Sequence, residues 1–98
     1  MTEKENRKIK AIAIVMRALS NETRLSILNS LYEKPRTWTE LQFKLKLNSK
    51  SLRDHLQYLR GSNLVRKRDP VGFELTEAGK AILELSMKDI LEATEISG

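Results

Sequence analysis

A mainly α-helical domain with one small β-hairpin, an α+β fold, is what this sequence predicts, on three observations. Apolar residues recur at helical spacing through five segments. Only two short stretches, on either side of Asp69-Pro70-Val71-Gly72, read as strands. The chain has 98 residues, 40% hydrophobic and 32% charged, which suits one globular domain and is too little for two. A single domain over residues 1–98 is therefore expected. There is no cysteine, so disulfides, thiolate metal sites and cysteine nucleophiles are excluded together. The longest apolar run, Ala11–Met16, is far short of the ~20 residues a membrane span needs. The polar start Met1-Thr2-Glu3-Lys4-Glu5-Asn6 has the pattern of neither a secretion signal nor a transit peptide. A soluble cytoplasmic protein is expected, with no membrane partner.

The elements follow in order. From Glu3 to Leu19, the residues Ile9, Ile12, Ala13, Met16 and Leu19 keep helical spacing, while Ile14 and Val15 fall off that stripe. A helix apolar on more than one side needs more than one thing to pack against. Ser20 and Asn21 are start signals for a second helix carrying Leu25, Ile27, Leu28, Leu31 and Tyr32, which Glu33-Lys34-Pro35 ends. Thr37-Trp38-Thr39-Glu40 reads as a capping box, in which hydroxyl and carboxylate each satisfy the other residue's backbone N–H. The helix it opens is short and stalls at Lys46-Leu47-Asn48. Another helix runs from Asn48 or Ser49 to Arg60 on a Leu52/Leu56/Leu59 stripe, and Gly61 and Asn63 can both take the left-handed backbone that stops it. Leu64–Arg68 and Phe73–Thr76 form the hairpin. A last helix spans about residues 77–95, with Ala78, Ile82 and Leu85 on one face and Leu83, Met87 and Ile90 on another.

Two short helices joined by three residues and followed by a basic hairpin make a winged helix–turn–helix, with the helix–turn–helix at about 37–60 and the wing at about 64–76. The charge distribution agrees with a polyanion partner. Residues 50–68 carry a net +5 and residues 74–98 a net −4, within a total of +5. With Leu52, Leu56 and Leu59 turned inward, the opposite face of the helix over 49–60 is polar, and a helix of that kind fits the major groove of B-form DNA. The expected groove residues are Ser49, Lys50, Ser51, Arg53, Asp54 and Gln57. Lys and Arg suit guanine or phosphate, and Gln suits adenine. Arg66, Lys67 and Arg68 on the wing are expected to grip backbone or minor groove, adding affinity and salt dependence rather than sequence choice.

Three stretches resemble a known family. Arg17-Ala18-Leu19-Ser20-Asn21-Glu22-Thr23-Arg24-Leu25-Ser26-Ile27-Leu28 resembles the opening signature of ArsR-type prokaryotic winged-helix transcription regulators. Ser51-Leu52-Arg53-Asp54-His55-Leu56-Gln57-Tyr58-Leu59 is similar to their recognition helix. Leu64-Val65-Arg66 through Phe73-Glu74-Leu75-Thr76-Glu77-Ala78-Gly79 resembles their wing and the turn into the last helix. The resemblance implies a homodimeric DNA-binding repressor or activator of the bacterial and archaeal type, nucleoid-associated, whose first and last helices build the dimer. Ile12, Ile14 and Val15 on the first helix and Leu83, Met87 and Ile90 on the last are the expected interface, the latter three at heptad-like spacing. Two-fold symmetry then sets the recognition helices ~34 Å apart on a pseudo-palindrome.

The chain also departs from that pattern. Metal-sensing members carry Cys-Val-Cys ahead of an acidic residue and Leu, where this chain has Thr37-Trp38-Thr39-Glu40-Leu41. Neutral hydroxyls are poor ligands for a thiophilic metal. Residues 77–98 hold no histidine either, so neither a metal nor another cofactor is expected. His55, the one histidine, and Trp38, the one tryptophan, are expected to be structural. No catalytic set is recognisable, and an enzyme is not expected. Two rival functions use the same surface or fold: an architectural DNA-coating protein with little sequence preference, and a winged-helix protein-interaction module. Asp54 in the middle of the groove face disfavours the first, and the concentration of positive charge in 50–68 disfavours the second.

Overall fold

The computed structural model describes residues 1–97, together with all of their side chains except those of Ser86, Met87, Ile90, Glu95, Ile96 and Ser97. Five helices and one hairpin follow in chain order: α1 (Glu3–Leu19), α2 (Glu22–Glu33), α3 (Trp38–Leu45), α4 (Ser49–Gly61), β1 (Val65–Lys67), β2 (Phe73–Leu75) and α5 (Glu77–Ser97). Each of the first four helices starts where a side-chain oxygen accepts an otherwise unpaired backbone N–H. The caps are Thr2, Asn21, Thr37 and Asn48, and the Thr37–Glu40 capping box is present in both directions. The strands are antiparallel with Val65 opposite Leu75, Arg66 opposite Glu74 and Lys67 opposite Phe73.

The core gathers the inward stripes: Ile27, Leu28 and Leu31 of α2, Leu41 of α3, Leu52, Leu56 and Leu59 of α4, then Leu64, Val65 and Phe73 of the wing and Leu83 of α5. α2 lies at the centre, packed on α1, α3, α4, β2 and α5. The hairpin is anchored from outside its own strands. Arg36 exchanges both backbone hydrogen bonds with Phe73, at 3.1 and 2.7 Å. Its guanidinium turns back to the Ser30 carbonyl and the Glu33 carboxylate. The sequence reading treats residues 34–36 as loop only, because one bridging residue carries no strand pattern. α5 is pinned at its start: the Thr76 hydroxyl donates to the Asn63 carbonyl at 2.7 Å and accepts the Gly79 N–H at 2.9 Å. A Cβ at Gly79 would overlap the Leu64 carbonyl oxygen, so only glycine allows α5 to approach this closely.

One expectation needs correction. Leu83 belongs to the core, with 3% of its surface exposed, so it cannot contribute to an interface; the apolar face of α5 left open is that of Ile82 and Leu85. Leu83 stands four residues beyond Gly79, on the face that Gly79 presses against Leu64, and heptad spacing alone could not tell that face from its neighbour. The Met87 and Ile90 side chains lie outside those described. At the end of α4, Asn63 takes the left-handed backbone (φ 61°) while Gly61 stays helical. Lys46 supplies a second left-handed residue (φ 55°) between α3 and α4.

Candidate nucleic-acid interface

The geometry of α4 begins with the turn before it. Lys46 turns the chain, the Leu47 N–H donates to the Gln42 carbonyl at 3.2 Å, and Asn48 caps α4 by accepting the Ser51 N–H at 2.8 Å. Leu52, Leu56 and Leu59 then fasten one face of α4 to the core. Ser49, Lys50, Arg53, Asp54, Gln57 and Arg60 are left exposed, with no other element packed over them. Ser51 departs from expectation: it is half-buried on the flank of the helix, about 100° round from Lys50. Arg60 is exposed on the same side of α4, though it was not among the expected residues. It lies one turn beyond Gln57 and two beyond Arg53, so helical spacing could have found it.

The exposed charges are not all free. Lys50 Nζ donates to Asp54 Oδ2 at 3.0 Å, an i,i+4 pair on the outer face of α4. That hydrogen bond holds the Asp54 carboxyl below its ordinary range, with the charges of Lys50, Arg53 and His55 acting in the same direction. Asp54 is therefore ionised at neutral pH. Ser49 accepts a hydrogen bond from Gln42 Nε2 at 3.0 Å, tying α3 to the start of α4. Arg53 and Gln57 have no side-chain partner among the described residues. On the flank, Tyr58 carries the Arg24 guanidinium 4.2 Å above its ring, and Arg24 also donates to the Arg17 and Ala18 carbonyls at the end of α1. His55 is half-buried beside the leucine stripe, and Trp38 is half-buried against the core.

The wing places its three cations as strand alternation requires. Arg66 and Arg68 share one face and both turn to Glu74, at 2.7 and 3.7 Å, whereas Lys67 projects from the other face with no carboxylate partner among the described residues. Glu74 was not expected at the site; cross-strand pairing with Arg66 is legible only once the register is known. Between wing and α4 lies an open depression of about 440 Å³ bounded by Gln57, Arg60, Asn63, Arg66 and Lys67. Helix end and strand thus present one continuous cationic surface. Elsewhere, Ala11, Ile12, Val15 and Met16 of α1 and Ile82, Leu85 and Asp89 of α5 line an open, mostly apolar groove of about 370 Å³. Ile14 is exposed outside it. Among the described residues, no cluster of three or more histidine, aspartate or glutamate side chains converges as a metal site would require. Nor is any helix among them long and apolar enough to cross a membrane.

Comparison with known proteins places this geometry in a family. The family model for bacterial regulatory proteins of the arsR family matches residues 21–67, which run from the cap of α2 through α4 to the end of β1. The transcriptional activator HlyU of Vibrio cholerae is 35% identical over 68 residues, covering 69% of this chain and 62% of the activator's own length. The solved structure of HlyU from Vibrio cholerae superposes with a TM-score of 0.74 at 31% identity, covering 89% of this chain and 96% of that one. A homodimeric winged helix-turn-helix DNA-binding domain from Mycobacterium bovis shares the fold, with a TM-score of 0.86 at 22% identity over 97% of this chain and 92% of its own. The transcriptional repressor BigR from Xylella fastidiosa gives 0.74 at 27% identity over 95% of each chain. With the helix–turn–helix, its wing and these relatives together, the chain belongs to the arsR family of bacterial transcription regulators.

Proposed function

We propose that the protein is a sequence-specific, homodimeric regulator of transcription that binds double-stranded DNA in the cytoplasm, on the nucleoid. The observation that carries this reading is the outer face of α4. Lys50, Arg53, Asp54, Gln57 and Arg60 stand exposed on a helix whose other face is locked into the core, with the wing cations alongside. A helix so mounted can enter the major groove with its side chains at the base edges, while Lys67 and the wing arginines meet the sugar–phosphate backbone. Ser49 and Ser51 stand at the start of the same helix, Ser49 at the groove and Ser51 at its margin.

The dimer rests on surface area and shape. The chain exposes 7111 Å², against about 5,700 Å² for a compact monomer of its mass. Its radius of gyration is 14.7 Å, against about 12.6 Å for a compact chain of this length. Part of the exposed apolar surface lies on α1, where Ile9, Ile12, Ile14 and Met16 are all at least 42% exposed, and on Leu85 and Leu91 of α5, beside Phe43 and Val71 elsewhere. A second copy covering the α1 and α5 faces removes their apolar surface from water. Whether transcription rises or falls then depends on where the operator lies; the relatives include both an activator and a repressor by name.

Single replacement of Lys50, Arg53 and Gln57 by alanine tests the groove assignment. Each is expected to reduce discrimination between cognate and random duplex by about 1–3 kcal/mol in competition titrations. Discrimination left intact in all three variants would remove α4 from the groove. Wild-type protein that binds every duplex equally would instead make the protein an architectural coat.

A further inference from the structure

Asp54 is the only acidic residue between Glu40 and Asp69, and α4 holds it in the middle of an otherwise cationic and neutral face. A carboxylate there works against any grip on phosphate. Across the major groove it is also repelled by guanine, which offers only the N7 and O6 acceptors. Two base edges present an amino donor: adenine N6 and cytosine N4. Adenine sets its N7 acceptor beside that donor, where a carboxylate has no proton to give, whereas cytosine offers the amino group without a neighbouring acceptor. The chemistry of Asp54 therefore selects cytosine.

Lys50 fits the same scheme. Its ammonium has three donors, one of which is already on Asp54 Oδ2 at 3.0 Å, leaving two for an acceptor-rich edge such as guanine N7 and O6. The pair is solvent-exposed, with 78% of the Lys50 side chain and 52% of the Asp54 side chain accessible, so both heads can be presented to a base. We propose that Lys50 and Asp54 act as one unit that reads cytosine and guanine at adjoining positions of the half-site, Asp54 accepting from cytosine N4 and Lys50 donating to guanine. This rests on the groove assignment of α4 made above. A second consequence follows from the same pairing. While Lys50 is held by Asp54, its charge is neutralised towards phosphate, so the carboxylate lowers affinity for random DNA and raises selectivity.

The test is selection of bound duplexes from a random library with the wild type, Asp54→Ala and Asp54→Asn in parallel, at ~150 mM salt where non-specific binding is suppressed. Asp54 lies on an exposed helix face, and circular dichroism confirms the fold of each variant. The wild-type half-site is expected to contain one position fixed as cytosine. Asp54→Ala should lose that preference by about 5- to 150-fold at that position alone. Asp54→Asn should move it to adenine, since a carboxamide can pair with N6 and N7 together. Titration of random duplex across a salt series should show Asp54→Ala binding more tightly, with a slope steeper by about one counterion. A variant motif identical to the wild type at every position would reduce the pair to an ordinary intrahelical ion pair and overturn the proposal. A wild type that recovers no motif at all would overturn the groove assignment as well, so the two failures are distinguishable.

Discussion

Gly79 and Gly61 show how differently one residue type can be constrained. At Gly79 the backbone of α5 is pressed against the Leu64 carbonyl, whereas at Gly61 nothing lies within 4 Å of where a side chain would start. Gly79→Ala is therefore expected to cost about 3 kcal/mol by forcing α5 off the wing. Gly61→Ala should stabilise by about 0.4–1 kcal/mol through the unfolded chain. Urea midpoints of both variants check this contrast, and equal midpoints would contradict it. The sequence marks Gly79 only as a residue near a helix start; its close approach is to Leu64, just before β1 and 15 residues away, which local pattern cannot show. The Thr37–Glu40 capping box, by contrast, was fully legible because both partners lie within one turn. The Thr37 backbone N–H donates to Glu40 Oε1 at 3.1 Å and, with the Thr37 hydroxyl also acting on the carboxylate, holds the carboxyl below its ordinary value. A carboxylate whose folded pKa is depressed contributes stability above its unfolded pKa and loses it as pH falls through the folded one. Glu40→Gln keeps the acceptor and removes the titration, so the fall in urea midpoint as pH drops through the carboxylate range should be shallower than in the wild type. An unchanged pH profile would show that the capping carboxylate is not linked to stability.

Elements were legible where their signals are local. All five helices and the hairpin lie within a residue or two of expectation because caps, breakers and apolar stripes are short-range features. Faces were harder. On α4 one unbroken leucine stripe fixed the inward side and hence the exposed face proposed to meet DNA. On α5 two apolar stripes compete, and only contact with Leu64 and the α2 core decides that Leu83 turns inward. The wing was legible only in part: its three cations were, but the cross-strand register that gives Arg66 and Arg68 to Glu74 was not. That register has a consequence for binding. Glu74→Gln releases both arginines towards phosphate, and random-duplex affinity should rise with a salt slope steeper by about 1–2 counterions, measured by anisotropy across a salt series. An unchanged slope would mean that these arginines do not reach the backbone.

At the scale of the whole molecule, α1 carries both exposed apolar residues and the cations Lys4, Arg7, Lys8, Lys10 and Arg17, so charge alone does not divide the surface. The wing and α4 carry the cationic surface proposed to meet DNA, while α1 and α5 expose isoleucine, methionine and leucine that the single chain leaves uncovered. The composition hinted at the first of these in its basic centre and acidic last quarter, and the apolar surplus of α1 was visible as a helix with two faces. What composition could not give is which face of α5 joins α1, because that depends on three-dimensional packing. A pair of chains joined along α1 and α5 presents two recognition helices related by a two-fold axis. Hydroxyl-radical footprinting of the wild type on its selected duplex tests this directly. Two symmetric patches of protection with centres about 10 base pairs apart are predicted. A single patch, or protection spread evenly along the duplex, would contradict a dimer that reads an inverted repeat.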